Sequence, residues 1–330
     1  MRVVITGGAG FLGRRLAARL LDRGTLPDPK TGLDAAITEV VLFDAIEPEP
    51  IVGANGRVRA IVGDIADRAS VRQAIGEAAA VFHLAAVVSA AAEADFDLGL
   101  RVNLDGVIAV LEACRACTVP PRFVFTSSIA VYGGALPQAI GDETSATPQS
   151  SYGTQKAIGE LLVNDYSRKG FVDGRAIRLP TVVVRPGKPN MAASGFASSI
   201  IREPLAGTEA VCPVDRSTRV WILSPRGAVA SLVHACVVPT EAWGTNRTVM
   251  LPGIEVSVGG MIDALQRIAG RSVARRIRWQ PDAKIARIVE SWPHRFGLER
   301  AVRMGFSADT DIDAIIKSHI EDELGGRFAA

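Results

Sequence analysis

The chain has 330 residues, of which 48% are hydrophobic and 22% charged, so a large core can form and wholesale disorder is excluded. Lys and Arg total 37 against 35 for Asp and Glu, and this balance gives no reason to expect nucleic acid or an anionic membrane as a partner. No run of about 18 apolar residues and no signal-peptide pattern occurs. We therefore expect a cytoplasmic protein without a membrane span.

Short segments rich in Val, Ile and Phe alternate with longer amphipathic segments in the first half of the chain. Strands are predicted at 2–6, 39–43, 57–62, 80–86 and 122–127, and helices at 11–24 and 96–117. A further helix and strand follow at 152–185, and 25–38 has the character of an insertion. Apolar strands alternating with helices predict an α/β fold, a doubly wound parallel sheet of the Rossmann type.

The pattern changes after residue 185, where Pro and Gly separate shorter elements. We predict a sheet domain over 1–185 and a smaller C-terminal α/β lobe over 186–330, with some of the chain crossing back to the sheet. The four cysteines include Cys114 and Cys117, a CxxC inside a helical pattern. No further ligands lie nearby in sequence, so we expect these thiols to pack in a helix and predict no metal site.

Glycines follow the first strand in the sequence MRVVITGGAGFLG, where Gly7, Gly10 and Gly13 form a GxxGxxG pattern before the first helix. The first glycine permits a sharp turn, the second a close approach to a pyrophosphate, and the third tight packing of the helix on the strand. The helix N-terminus, with Phe11 and Leu12, offers free N–H groups to phosphates. This pattern predicts a dinucleotide-binding turn.

The second predicted strand ends at Asp44. A carboxylate there can accept hydrogen bonds from the adenosine ribose hydroxyls and would repel a 2′-phosphate, so we predict NAD as the cofactor rather than NADP. The alternative is an aspartate that only caps the turn.

Tyr152 and Lys156 stand four residues apart at the start of a predicted helix and therefore share a face. An ammonium and a positive nicotinamide would lower the pKa of the phenol, which could then act as a base toward an alcohol. Ser127 and Ser128 end the preceding strand, where a hydroxyl could orient the reacting oxygen. This constellation predicts hydride transfer.

Seven segments carry a resemblance to a known family: TGGAGFLG, Asp44, GDIAD, FHLAA, VNLDG, FTSSIAVYG and YGTQK. They resemble the extended short-chain dehydrogenase/reductase family, which includes sugar-nucleotide epimerases, over about the first 185 residues. The resemblance implies a Rossmann fold with a C-terminal substrate lobe and a homodimer formed through four helices. It also implies that Ser128 is the catalytic serine, Tyr152 the acid/base and Lys156 its partner, and that both Tyr152 and Lys156 contact the cofactor, Lys156 at the nicotinamide ribose. The further cofactor-binding residues that it implies are Asp64, Ile65, Leu84, Ala85, Ala86, Asn103, Pro180 and Val182.

Two positions depart from the pattern of the epimerases. Thr181 stands where they have an Asn that meets the sugar nucleotide, and Val88 and Ser89 stand where a common epimerase has a Lys. These changes favour a smaller substrate. Segments of the second lobe, RLPTVVVRPGKPNMAASGFASSIIREPL and RVWILSPRGAV, resemble a narrower branch whose activity is NAD-dependent oxidation of the C2 hydroxyl of D-erythronate.

A small sugar acid needs an anchor for its carboxylate, and Arg suits bidentate binding of that group. Arg219 is the first candidate, with Arg185 and Arg202 as alternatives, and Ser89, Thr181 and Asn190 are candidates for the hydroxyls. Other activities remain open: a nucleotide-sugar epimerase or dehydratase, a dehydrogenase of another small alcohol such as L-threonine, or an NAD-sensing binding protein. The last is disfavoured because both Tyr152 and Lys156 are present.

Overall fold

The computed structural model describes residues 1–187 and 193–329, and the chain divides into two compact units. The first unit comprises 1–131, 148–178 and 229–250, and the second comprises 132–147, 179–228 and the chain from 251 onward. Residues 229–250 thus return the chain to the first unit. The boundary expected at residue 185 falls inside a segment of the second unit.

The strands of the described residues are β1 (Arg2–Thr6), β2 (Thr25–Pro27), β3 (Asp34–Ala36), β4 (Glu39–Asp44), β5 (Val58–Val62), β6 (Ala80–His83), β7 (Arg122–Ser128), β8 (Asp173–Leu179), β9 (Thr181–Val182), β10 (Ala210–Cys212), β11 (Arg219–Leu223), β12 (Thr248–Met250), β13 (Ile254–Ser257) and β14 (Ile277–Trp279).

The helices are α1 (Phe11–Arg23), α2 (Arg68–Ile75), α3 (Ser89–Ala94), α4 (Phe96–Leu100), α5 (Gly106–Arg115), α6 (Ser151–Arg168), α7 (Gly195–Leu205), α8 (Pro225–Val237), α9 (Thr240–Trp243), α10 (Val258–Ala269), α11 (Arg271–Ala274), α12 (Ala283–Glu290), α13 (Glu299–Arg303) and α14 (Ile312–Leu324). A π-helical turn spans Arg101–Asp105, and a 3₁₀ turn spans Ile129–Val131.

The first unit is built on a sheet that, within the described residues, has seven strands in the order β12-β8-β7-β6-β1-β4-β5. The pairs β1–β4, β1–β6, β4–β5, β6–β7 and β8–β12 are all parallel. The strand order reverses at β1, which pairs with β4 on one side and β6 on the other. In open parallel sheets ligands bind beyond the carboxyl ends of the strands at such a point. The predicted α/β fold with a Rossmann sheet is confirmed.

The sheet is stable because its strands are apolar on both faces, and because each covering helix packs one apolar face against them. Val3, Val4 and Ile5 of β1 have no exposed surface, as expected of a strand covered on both sides. Helix α1 buries Leu16 and Leu20, one helical turn apart, against the sheet. The helix ends at Gly24, whose φ of 75° is the left-handed conformation that glycine adopts without a steric penalty.

Two local expectations differ from the structure. The helix predicted over 96–117 is interrupted, because the π-helical turn separates α4 from α5. The strand predicted to reach residue 86 ends at His83, where the backbone leaves the sheet at its carboxyl edge. The insertion at 25–38 contains an antiparallel hairpin of β2 and β3, which its turn residues Asp28 and Gly32 close through a hydrogen bond from Gly32 N to Asp28 O (2.8 Å).

The second unit contains a sheet in the order β13-β11-β9, in which β11 is antiparallel to β13 and parallel to β9. Strands β10 and β14 form a separate parallel pair. Its core is a cluster of buried apolar residues to which Ile200, Ile222, Met261, Leu265 and Ile316 contribute fully buried side chains. Among the described residues, no helix has the length and apolarity that crossing a membrane requires.

Candidate active site

The glycine turn joins β1 to α1 and is as tight as the sequence predicts. Gly7 has a φ of 72°, and a Cβ atom there would lie 2.7 Å from the backbone nitrogen of Ala85. A Cβ on Gly13 would lie 2.3 Å from the carbonyl oxygen of Gly7, so α1 packs directly on the turn as well as on the strand. Gly10 is the N-cap of α1 and brings no side-chain cap, which leaves the first N–H groups of the helix available to a phosphate.

The carboxylate of Asp44 lies against this turn. Its Oδ2 accepts a hydrogen bond from the backbone N–H of Ala9 (2.9 Å), and its Oδ1 accepts one from Ala45 N–H (2.7 Å). Asp44 therefore does cap a turn, as the alternative interpretation of the sequence required. The contact with Ala9 holds its negative charge next to the glycine turn, where it fits the ribose of an adenosine.

The segment after β6 completes the other wall of the turn. Leu84 N–H donates to the carbonyl of Thr6 (3.0 Å), and Ala85 N–H lies 3.3 Å from the Thr6 hydroxyl. A Cβ on Gly7 would meet the backbone of Leu84 as well as that of Ala85. The predicted residues Leu84 and Ala85 thus lie next to the glycine turn, and Ala86 follows them in the chain; this placement fits contacts made to a cofactor through the backbone.

Asn103 lies in the π-helical turn and is almost fully buried. Its Oδ1 accepts from Val87 N–H (2.8 Å), and its Nδ2 donates to the Val87 carbonyl (2.9 Å) and to Gln155 Oε1 (2.7 Å). These bonds use both N–H groups of the amide. Asn103 therefore fixes the segment after β6 onto α6, and we propose that it supports the cofactor site through that segment rather than by direct contact.

Asp64 and Ile65 follow β5 in the first unit. Asp64 accepts a hydrogen bond from Ala66 N–H (2.9 Å) and pairs with Arg101, and these two contacts, the backbone hydrogen bond foremost, hold the pKa of the Asp64 carboxyl below its usual value. Ile65 is buried, and Gly106 approaches it so closely that a Cβ there would be 2.9 Å from Ile65 Cγ2.

Lys156 is the buried cation of the site. Its side chain is 3% exposed, and its Nζ donates to the carbonyl oxygen of Thr126 (2.8 Å) near the end of β7. The Nζ lies 4.8 Å from the ring centroid of Phe125 and 5.6 Å from that of Tyr152. Burial lowers the pKa of Lys156 to about 8, while Glu160 opposes the shift. An ammonium that has shed its water and stands beside a phenol can stabilise a phenolate there.

Small residues bring α6 close enough for these contacts. A Cβ on Gly153 would lie 2.1 Å from the Ala130 carbonyl, and one on Gly159 would lie 2.5 Å from the Phe125 ring. The Ser150 hydroxyl caps the helix by accepting from Gly153 N–H (3.1 Å). These glycines were not among the residues predicted from the sequence, although their places one and seven residues after Tyr152 could have indicated a closely packed helix.

Ser128 ends β7, where its hydroxyl accepts a hydrogen bond from Ala130 N–H (3.1 Å) and is partly exposed. The neighbouring Ser127 is buried, and its hydroxyl donates to the carboxylate of Glu160. The two serines therefore have different environments. The geometry favours Ser128 as the one that a substrate can reach.

His83 lies at the carboxyl end of β6 with its Nδ1 2.7 Å from the Thr6 hydroxyl. It is buried between neighbouring strands and stacks on the ring of Phe125, with the centroids 5.8 Å apart. Burial, assisted by the charge of Lys156, lowers the pKa of His83 to about 3. The imidazole is therefore neutral at physiological pH and ties β6 to β1. No role for it was predicted from the sequence.

The remaining candidates for substrate contacts are divided between the units. Ser89 begins α3 in the first unit, whereas Thr181 and Val182 form β9, preceded by Pro180, in the second. Asn190 lies outside the described residues.

The three candidate arginines all belong to the second unit. The guanidinium of Arg219 pairs with Glu255 (3.1 Å) and is about half exposed. That of Arg185 donates to the Ser194 hydroxyl (3.2 Å), and Arg202 donates to the carbonyl of Arg185 (2.6 Å). Arg202 also pairs with the adjacent Glu203 (2.6 Å), so it buttresses Arg185.

A Rossmann sheet with a glycine turn after its first strand, an acid at the end of the neighbouring strand β4 and a lysine beside a tyrosine is typical of the dinucleotide-dependent oxidoreductases. The chain belongs to the NAD dependent epimerase/dehydratase family, whose model matches residues 3–222. NAD is its cofactor, and it is a dehydrogenase acting on a CH–OH group, as the resemblance to the extended short-chain dehydrogenase/reductase family implied.

Two relatives align over nearly the whole chain. The D-erythronate dehydrogenase of Cupriavidus necator is 55% identical over 323 residues, which cover 98% of each chain. The D-erythronate dehydrogenase of Haemophilus influenzae is 44% identical over 327 residues, which cover 98% of this chain and all of that one. A solved structure described as a nucleoside-diphosphate-sugar epimerase from Agrobacterium tumefaciens is 46% identical, with a TM-score of 0.92, and covers 99% of this chain and 95% of its own.

Proposed function

We propose that this protein oxidises the C2 hydroxyl of D-erythronate with NAD and forms 2-dehydro-D-erythronate. The observation that carries the chemistry is the buried ammonium of Lys156, 5.6 Å from the ring centroid of Tyr152. The choice of substrate is supported by the two relatives of that name, which align over nearly their whole length at 55% and 44% identity.

In the proposed reaction Tyr152, as the phenolate, accepts the proton of the C2 hydroxyl. The positive charge of Lys156 stabilises the phenolate, and the Thr126 carbonyl holds the ammonium in place at 2.8 Å. The Ser128 hydroxyl orients the reacting oxygen by a hydrogen bond. Bound NAD would supply the hydride acceptor, so that loss of the hydride from C2 together with the hydroxyl proton would turn the hydroxyl carbon into a carbonyl. The glycine turn and the N-terminus of α1 would hold the cofactor's phosphates, and Asp44 its adenosine ribose.

The substrate carboxylate needs a cation, and we propose Arg219 first, with Arg185 as the alternative that Arg202 buttresses. The exposed guanidinium of Arg219 would exchange its partner Glu255 for the substrate. Ser89, Thr181 and Asn190 are the proposed partners of the remaining hydroxyls. Single Arg→Met variants that raise KM for D-erythronate without changing NAD affinity would identify the anchor.

The experiment that tests the function follows NADH formation with D-erythronate in the intact protein and in Tyr152→Phe. The variant should bind NAD normally and lose at least about 10²-fold in kcat, because it lacks the acid/base group. Tyr166→Phe is the matched control, since Tyr166 is also on α6 but bonds to Glu112. Absence of NADH formation with D-erythronate in the unmodified protein would refute the substrate, whereas full activity of Tyr152→Phe would refute the mechanism.

A second candidate function is epimerisation of a sugar nucleotide, favoured by the description of the Agrobacterium tumefaciens structure. An epimerase returns the hydride to its substrate, so it would interconvert a UDP-hexose without net NADH. Thr181 argues against it, because it stands where epimerases have an Asn that meets the sugar nucleotide, and so do Val88 and Ser89, which stand where a common epimerase has a Lys. Incubation with UDP-hexoses, analysed by chromatography, separates this activity from dehydrogenation.

We also propose that the protein is a cytoplasmic homodimer. Phe96 of α4 and Leu161 of α6 are 57% and 72% exposed, and a second copy pairing through these helices would cover them. The proposed location is supported by the proposed reaction, which uses NAD and a sugar acid, both of them water-soluble. Light scattering coupled to size exclusion tests the dimer, and cell fractionation tests the location.

A further inference from the structure

A second buried charge lies one helical turn beyond Lys156 on α6. Glu160 is 5% exposed, and its carboxylate accepts two hydrogen bonds from Arg178 of β8, at 2.8 Å from Nε and 2.6 Å from Nη2. It also accepts one from the Ser127 hydroxyl. Glu160 thus joins three elements of the first unit, α6, β7 and β8, at one buried point.

These contacts surround the segment of β7 that carries the proposed reacting groups. The Thr126 carbonyl accepts from Lys156, the Ser127 side chain is held by Glu160, and Ser128 follows directly. The Thr126 hydroxyl in turn donates to the His83 carbonyl of β6 (2.9 Å). The end of β7 is therefore clamped on both sides of the strand by side chains that are themselves buried.

The charges that face Lys156 can be named from each neighbouring element. Tyr152 and Glu160 come from α6, and the neutral His83 comes from β6. Arg178 of β8 is linked to the Lys156 ammonium only through its ion pair with Glu160. Of these, only Glu160 is an anion that favours the charged form of the lysine, against the burial that disfavours it.

We infer that Glu160 is a positioning residue for the dehydrogenase reaction: its negative charge, one helical turn from Lys156, keeps the ammonium of that lysine charged and fixed at the end of β7. The inference rests on the role proposed above for Lys156. Its direct consequence is that changing the charge of Glu160 or of Arg178 shifts the titration of Lys156 in opposite directions, whereas a scaffold role would leave that titration unmoved.

The test follows Lys156 directly, by NMR of the full-length protein labelled at lysine Cε. The chain has six lysines, and the Lys156→Arg variant assigns the relevant signal by its loss. In Glu160→Gln the midpoint of the Lys156 titration should fall by about one pH unit, and in Arg178→Met it should rise by a similar amount. Ser127→Ala removes a hydroxyl without changing charge and should leave the midpoint where it is.

The pH profile of kcat/KM should follow the same order, with its alkaline limb at lower pH in Glu160→Gln and at higher pH in Arg178→Met. An unmoved midpoint in Glu160→Gln, or shifts of the same sign in both variants, would overturn the inference. Should Glu160→Gln not fold, Arg178→Met decides alone, since an unmoved or lowered midpoint there contradicts the inference. The titration needs no substrate. If D-erythronate is not turned over, the proposed substrate is therefore wrong, but the result on Glu160 is unaffected.

Discussion

Replacing Gly13 by Ala tests whether the glycine turn is shaped for a cofactor. The added Cβ would lie 2.3 Å from the Gly7 carbonyl oxygen and 2.9 Å from Gly8 Cα, whereas non-bonded heavy atoms sit comfortably at about 3.5 Å. The turn must therefore move by about 1 Å. Both close contacts are to backbone, so no side chain can rotate to relieve them.

The effect on stability should be smaller than the effect on binding. Overpacking costs about 1–3 kcal/mol, but Ala is favoured over Gly inside a helix by roughly 1 kcal/mol, so the net loss of unfolding free energy is about 0–2 kcal/mol. A displacement of about 1 Å at a site that binds through backbone N–H groups should weaken NAD binding and lower kcat/KM by about 10- to 100-fold.

Calorimetric titration with NAD gives the dissociation constant, and thermal unfolding without ligand gives the stability. Gly141→Ala is the matched control, because no atom lies within 4 Å of a Cβ built there. If Gly13→Ala bound NAD within twofold of the unmodified protein, the close packing of α1 on the turn would not be a requirement of cofactor binding, whatever the melting temperature of the variant.

Three further results are expected. Asp44→Ala should narrow the preference for NAD over NADP by about 10-fold or more in kcat/KM, because it removes the charge that repels a 2′-phosphate; equal use of both cofactors by the unmodified protein would contradict this. His83 has its pKa lowered from 6.5 to about 3, so its neutral form stabilises the fold above pH 6.5, and this contribution is lost as the pH falls toward 3, by up to about 1.4 kcal/mol per pH unit. Urea unfolding at pH 7 and at pH 5 measures how much unfolding free energy is lost between the two conditions. This loss should be smaller in His83→Gln than in the unmodified protein, and an equal loss in both would count against a neutral buried imidazole. Leu161→Asp should convert the proposed dimer to a monomer, as measured by light scattering. If the unmodified protein is already a monomer, the proposed dimer is wrong.

The strands of the sheet could be predicted because each needs only a short run of apolar residues. The bounds of β1 agree with the prediction, and those of β4 and β7 each extend one residue further. The end of β6 could not be found in this way, since Leu84 and Ala85 are as apolar as the strand. Strand β6 ends there because its neighbour β1 ends at Thr6: the Leu84 N–H still reaches the Thr6 carbonyl, but the Ala85 N–H meets only the Thr6 side chain.

Interruption of the helix over 96–117 has a similar cause. Nothing in the periodicity of that segment marks a π-helical turn, and the groups around it, Val87 and Gln155, are bonded to Asn103 from other parts of the chain. Such contacts exist only when the elements have packed. For the same reason the buried pairing of Glu160 with Arg178 could not be predicted from motifs, although both residues are visible in the sequence.

The sequence by itself determined the local requirements of this protein: glycines where the backbone must turn and approach closely, an acid at the end of a strand, and a phenol and an amine one helical turn apart. These follow from spacing along a single strand or helix. The tertiary structure decided which charges are buried and what they face. Desolvation of Lys156, neutrality of His83 and the link from Glu160 to β7 and β8 depend on side chains that meet only when α6 packs on the sheet.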